Sequence, residues 1–379
     1  MQNTASWISE CRSKTWPELR CSDPKIKIAD LFSGCGGLSL GALIASVRSG
    51  RRLEISLAAD VWPEALEVYK ENFAYCLKDT ESRDLSEMVK ELGSIHLSAQ
   101  GEELVTKLGS LDIVVAGPPC QGHSDLNNSS RRNDPRNLLY TIPVAVALET
   151  NAKILVVENV PTVVHSSGQV VNSALRSMKE RGYCVAEMVA EVQDFGLPQT
   201  RKRHLLIASR VHDEEELVAV LDGIPKRTRE LTLWDSIHDL EDEEESSGSL
   251  LARHSKISED NIKRIEYLFT NDLYDLPNEY RPACHRDKTH SYVSMYGRLH
   301  ANKPAQTITS GFGSMGQGRF VHPTRRRMLT AHEAARIQGF PDYFNFAKVK
   351  KITALREMIA NAVPPALMAG LLAALISKI

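Results

Sequence analysis

Five short runs rich in Val, Ile, Leu and Ala recur through the first 210 residues: 26–32 (IKIADLF), 55–60 (ISLAAD), 111–116 (LDIVVA), 154–158 (ILVVE) and 204–209 (HLLIAS). They read as near-continuous apolar segments, as expected of strands buried on both faces. Helical stretches lie between several of them, including 63–73 and 141–150. Strands alternating with helices predict an α/β fold, a doubly wound and mostly parallel sheet. Residues 211–330 lose this rhythm and are polar and rich in Gly, Pro, Ser and His. The expected organisation is an N-terminal extension over 1–24 and a catalytic, cofactor-binding sheet domain over 25–210. A smaller irregular domain follows over 211–330, and residues 331–379 return to the sheet.

Composition narrows the function classes. Residues 1–24 are polar and lack a secretory signal pattern. The long apolar run, 366–376, is too short to span a bilayer and predicts a buried helix. A cytoplasmic protein with no membrane partner is expected. Seven cysteines show no paired spacing for disulfides or zinc, so no metal is expected. The formal charge of −2 hides an uneven distribution. Residues 239–245 (DLEDEEE) form an acidic run, read as a solvated loop. Residues 281–327 carry nine Lys/Arg, four His and the single acid Asp287. Such a segment suits phosphate contacts, and equally a solvated basic face.

In an open parallel sheet, ligands bind beyond the carboxyl ends of the strands. Four segments fall there. Residues 30–37 (DLFSGCGG) run from a strand through a glycine turn into a helix, where the backbone can approach a ligand closely. The spacing departs from GxGxxG and does not by itself choose a cofactor. Asp60 closes the second strand, where an acid would accept hydrogen bonds from a ribose, or stand as a surface acid. Residues 117–124 (GPPCQGHS) present Cys120 after two prolines that stiffen the chain. Rigid presentation suits a nucleophilic thiolate, whereas most cysteines are inert when buried. Glu158, in ENV, could hold a proton beside that thiol or cap a helix. Residues 199–204 (QTRKRH) are basic and precede the fifth strand, so they need not share that edge.

Together these segments closely resemble the DNA (cytosine-5) methyltransferase family, in the family's order and over most of the chain. The motif 303–309 (KPAQTIT), with Arg298 before it, and residues 361–365 (NAVPP) extend the likeness. The resemblance implies a methyltransferase fold, S-adenosyl-L-methionine as cofactor, and double-stranded DNA as partner. It implies that the Cys120 thiolate attacks cytosine C6 while Glu158 engages N3 and the exocyclic amine. Arg203 would contact O2, with Arg201 supporting the site. The target base must leave the duplex stack for this chemistry. Phe32, Ser33, Gly34, Gly36, Gly37, Leu38, Asp60, Val61, Asp84, Leu85, Pro119, Leu139, Asn361 and Ala362 would line the cofactor pocket. Gln121, Ser124, Arg136, Tyr292, Tyr296 and Arg298 would contact DNA, with residues 124–139 a mobile loop closing over the base. The smaller domain would read a short target.

Two departures stand out. Val61, followed by Trp62, occupies a position where the family often has an aromatic, and His123 one where it often has Phe. A restriction-modification or phage-defence role is expected, with a cognate endonuclease or defence component as possible company and a monomer acting on DNA at the nucleoid. Two rivals remain: a tRNA cytosine-5 methyltransferase, whose Cys-Phe-Thr segment is absent here, and a nicotinamide-dependent oxidoreductase on the same sheet. A DNA-binding protein without catalysis is a third, opposed by the intact Cys120, Glu158 and Arg203.

Overall fold

The computed structural model describes residues 7–18, 20, 22–119, 134–166, 169–224, 226, 227, 229–245, 249–286 and 294–379. Within them the strands are β1 (Lys25–Leu31), β2 (Arg52–Asp60), β3 (Thr80–Ser82), β4 (Ile113–Ala116), β5 (Ile154–Asn159), β6 (Cys184–Glu191) and β7 (Lys202–Ser209). They form one sheet in the order β3-β2-β1-β4-β5-β7-β6. The first five pair in parallel, and β7 runs antiparallel to both β5 and β6. The expected doubly wound, mostly parallel sheet is present, and all five predicted strands are in it. Two strands went unpredicted. β3 has only three residues, and β6 (CVAEMVAE) is a partly exposed edge strand whose charges break up any apolar run.

The sheet's helices are α1 (Gly37–Arg48), α2 (Pro63–Phe73), α3 (Ala99–Leu108), α4 (Ile142–Glu149), α5 (Val170–Glu180) and α6 (Glu214–Asp222). A proline opens α2 at its first turn, and the Ser98 hydroxyl caps α3. β4, β5 and most of α4 are fully buried, which accounts for their unbroken apolar sequences.

Internal contacts divide the chain into two units. The sheet unit comprises Thr15–Phe195, Lys202–Lys226 and Val363–Ile379. The smaller unit comprises Met1–Lys14, Gly196–Arg201 and Arg227–Ala362. Its main helices are α7 (Glu259–Thr270), α8 (Ala331–Gln338) and α9 (Ile352–Asn361). These limits differ from the sequence boundaries at four places, the first being Gly196–Arg201, which the sequence assigned to the sheet domain and which belongs to the smaller unit. The helical turn Trp7–Cys11 is no loose extension: Trp7, Ile8 and Cys11 are buried, and Trp7 Nε1 donates to Gly339 O at 2.9 Å. Helix α6 stays with the sheet. Residues 331–362 join the smaller unit, and the return to the sheet begins at Val363.

That return is the apolar helix α10 (Pro365–Leu375), which packs on α1. Gly41 makes the packing possible, because a Cβ there would lie 2.4 Å from Pro365 O and 2.7 Å from Met368 Cβ. The stretch from Ile352 to Lys378 is apolar and long enough to cross a membrane, but two-thirds of its most apolar window is buried. Extended backbone at Ala362 and Pro364 also separates α9 from α10.

The acidic run is largely exposed, as expected, and several of its acids are also paired. Asp239 pairs with Arg336 at 3.2 Å, Glu241 and Asp242 with Arg325, and Glu243 with His332 at 2.7 Å. Clustered like charges are stable here because opposite charges from 325–336 face them.

Candidate active site

At the carboxyl end of β1 the chain turns through positive φ at Phe32 (56°), Gly34 (52°) and Gly36 (104°). For a phenylalanine that backbone is strained and must be held by its surroundings. The next residue supplies one tether, Ser33 N–H donating to Ala59 O at 3.1 Å. A Cβ on Gly36 would lie 2.4 Å from the Phe73 ring, and one on Gly37 2.3 Å from Val363 O. Gly34 differs, since a Cβ there would meet only open space.

Asp60, at the end of β2, ties this turn down. Its Oδ2 accepts from Gly34 N–H and its Oδ1 from Trp62 N–H, both at 2.8 Å. Burial pushes its pKa up, and the backbone hydrogen bonds oppose that rise. Val61 beside it is 69% exposed, a bare apolar surface. Asp84 Oδ1 caps the following 3-10 turn by accepting from Ser86 N–H at 2.9 Å. Leu85 is buried in the core with Leu139, so any ligand contact by Leu85 would fall to its backbone.

The Gly117-Pro118-Pro119 turn leaves β4 next to the end of β5. A Cβ on Gly117 would lie 3.7 Å from Glu158 Oε2, 3.8 Å from Leu38 and 3.4 Å from Val363. Glu158 Oε1 sits 2.6 Å from Arg203 Nε, with both side chains about a tenth exposed or less. Because β7 is antiparallel, its start lies against the carboxyl end of β5, Asn159 opposite His204. That reversal brings Lys202, Arg203 and His204 of the QTRKRH segment to the edge they were not required to share. Cys120, Gln121 and Ser124 lie outside the described residues, as does Tyr292.

Other expected site residues have internal partners. Arg201 belongs to the smaller unit, is 4% exposed, and donates to Ala360 O at 3.1 Å and Gln338 Oε1 at 3.3 Å. Asn361 and Ala362 end α9 in that unit, with Ala362 O accepting from Gln338 Nε2 at 2.6 Å. Arg136 is clasped by Asp134 at 2.6 Å. The basic segment is corrected most. Tyr296 is 5% exposed and shares a hydrogen bond with His285 at 2.8 Å. Arg298 donates to Pro323 O and pairs with Asp272, stacked on Phe269 and Tyr274. As arranged, these two side chains have partners inside the smaller unit.

Two functional features were missed. Asn159 donates to Pro118 O at 3.2 Å, fastening the ENV segment to the proline turn. Asp30 is fully buried, its Oδ2 accepting from Ser39 Oγ at 2.6 Å while Oδ1 has no partner among the described residues, and burial pushes its pKa up to about 7. The available signal was an acid between the apolar Ala29 and Leu31.

The chain matches the family model for C-5 cytosine-specific DNA methylases over residues 26–377. It is 41% identical over 362 residues to the Type II methyltransferase M1.BsuMI of Bacillus subtilis, covering 95% of this chain and 82% of that protein. The chain belongs to the C-5 cytosine-specific DNA methylase family. A further relative of this methylase is the Type II methylase M.HgiDII of Herpetosiphon aurantiacus, 28% identical over 90% of this chain and 92% of that one. In fold it resembles the S. pombe Dnmt2 methyltransferase, with TM-score 0.62, 16% identity and coverage of 93% and 98%. The methylase is therefore an enzyme that takes a methyl group from S-adenosyl-L-methionine and has DNA as substrate. The local structure fits that donor: open space at Gly34, an apolar exposed Val61, and a carboxylate on Asp60 between them.

Proposed function

We propose that this methylase is the modification enzyme of a Type II restriction-modification system, acting on cytosine in duplex DNA in the cytoplasm. The carrying observation is the ion pair of Glu158 with Arg203 beside the Gly117-Pro118-Pro119 turn, which leads directly into Cys120. S-adenosyl-L-methionine, when bound, supplies an electrophilic methyl group on sulfonium. Phe32, Ser33, Gly34, Gly36, Gly37 and Leu38 would cradle it, Asp60 would accept from the ribose hydroxyls, and Val61 would cover the adenine. Asp84, whose Oδ1 already accepts from Ser86 N–H, would use its second oxygen to accept from the adenine amine.

The Cys120 thiolate adds to C6 of the flipped cytosine, and the ring electrons move to C5. Glu158, carrying a proton, donates it to N3 and accepts from the exocyclic amine, so that negative charge on the ring is neutralised as it builds. Arg203 is positioned by Glu158 and by its own bond to Lys202 O, leaving Nη2 for the base O2. The C5 electron pair would take the methyl carbon as its bond to the sulfonium breaks, leaving a neutral thioether; a base then removes the C5 proton, and the returning electrons expel the Cys120 thiolate. Arg201 keeps the segment before β7 in place and does not touch the base. The smaller unit reads the target, and the enzyme works as a monomer alongside a cognate endonuclease.

Methyl transfer from labelled donor to duplex DNA tests the reading. Cys120→Ala should abolish transfer and leave donor binding intact. DNA with 5-fluorocytosine at the target should trap a covalent adduct, because fluorine cannot leave as a proton does. Transfer to tRNA alone, or full activity in Cys120→Ala, would overturn it.

A further inference from the structure

Arginines of the smaller unit mostly answer to carboxylates. Arg298 pairs with Asp272 at 3.2 Å, Arg319 with Asp275 at 2.5 Å, Arg326 with Glu266 at 2.9 Å and Arg327 with Glu333 at 2.6 Å. Arg356, on α9, breaks the pattern. It has no carboxylate partner among the described residues, and its Nη2 donates to Ser255 Oγ at 2.7 Å. Its Nε is buried and has no hydrogen-bond partner among the described residues. A Cβ on Gly313 would lie 2.1 Å from its Cζ, so the guanidinium rests directly on glycine backbone, near the Phe312 ring.

A guanidinium held partly out of water without an anion is unfavourable, and an anion arriving from outside removes that penalty. Phosphodiester is the anion this enzyme's substrate carries at every nucleotide, and a planar guanidinium matches it. Ser255 Oγ, already accepting from Arg356, keeps a proton to donate to the same anion. Lys351, exposed at the start of α9, adds positive charge one and a half turns away.

We infer that Arg356 and Ser255, backed by Gly313, form a contact for a DNA backbone phosphate in the smaller unit. The inference rests on the family's DNA substrate and assigns no base specificity. It is tested on the full-length protein by titrating duplex DNA across a salt series. Arg356→Gln should weaken binding about tenfold and flatten the slope of log affinity against log salt by about 1. The loss should be equal for target and non-target duplexes, with S-adenosyl-L-methionine affinity unchanged. Arg356→Lys should restore the slope.

Ser255→Asp gives the guanidinium an internal partner, so it should bind DNA weakly while melting no lower than the parent. It decides the matter if Arg356→Gln does not fold. Parental affinity and slope in these variants would overturn the inference. Failure of the unaltered enzyme to methylate any duplex is a separate result, and would instead sink the functional reading.

Discussion

Glu158 and Arg203 are each nearly buried and satisfy one another at 2.6 Å. Removing the charge of one leaves the other dehydrated and unpaired, which costs about 3–5 kcal/mol in such sites. Glu158→Gln should therefore lower both the melting temperature and the methylation rate, the latter by about a hundredfold or more. A variant that melts lower yet methylates normally would separate the pair from the chemistry. Asp30 carries a different liability. Burial raises its pKa to about 7, above the ordinary carboxylate value, so the folded state holds this proton more tightly than the unfolded one. The stability it contributes is full below about pH 4 and is lost as pH rises toward 7. Asp30→Asn should flatten that part of the stability profile, read by denaturant unfolding at a series of pH values. At this scale the sequence was informative about Glu158 and Asp60, whose strand-end positions declared them. For Asp30 it offered only an acid between apolar neighbours, because partners such as Ser39 and Tyr69 are assembled only by the fold.

Among the elements, β7 shows where periodicity stops. Its apolar run was readable, yet its direction was not, since a buried strand reads alike either way. The antiparallel pairing with β5 is what unites Arg203 with Glu158. β6 was invisible for a related reason: an edge strand exposes alternate residues, and its glutamates looked like surface. Helix packing yields a firmer expectation. Gly41 lets α10 approach α1 so closely that a branched side chain cannot be accommodated. Gly41→Val should destabilise the protein by about 1–3 kcal/mol or more, seen as a lower unfolding midpoint. An unchanged midpoint would mean that α10 does not need this approach.

For the whole molecule, charge is organised by internal neutralisation. The acidic run 239–245 and the arginines 325–327, which looked in sequence like a solvated loop and a DNA-facing patch, largely compensate charge inside one unit. Replacing Glu241, Asp242 and Glu243 by their amides should release cations, strengthening non-specific DNA binding and steepening its salt dependence. His332 is tied to the same system. Burial would lower its pKa, but hydrogen bonds to Asp342 and Glu243 prevail and push it up to about 9. Its contribution to stability should be full below about pH 6.5 and fade as pH rises through 9. Unfolding followed between pH 6 and 10, with His332→Gln for comparison, would show whether that loss is present.

The division of the chain also bears on how such an enzyme could be re-engineered. The backbone passes from one unit to the other at 14/15, 195/196, 201/202, 226/227 and 362/363. A specificity module would ordinarily be imagined as an insert with two seams, lifted out and replaced like a cassette. Here a transplant of residues 227–362 alone would leave behind Trp7, which donates to Gly339, and Gln199, which donates to Gln338. Chimaeras that respect all five seams should fold, whereas two-seam grafts inherit severed cores.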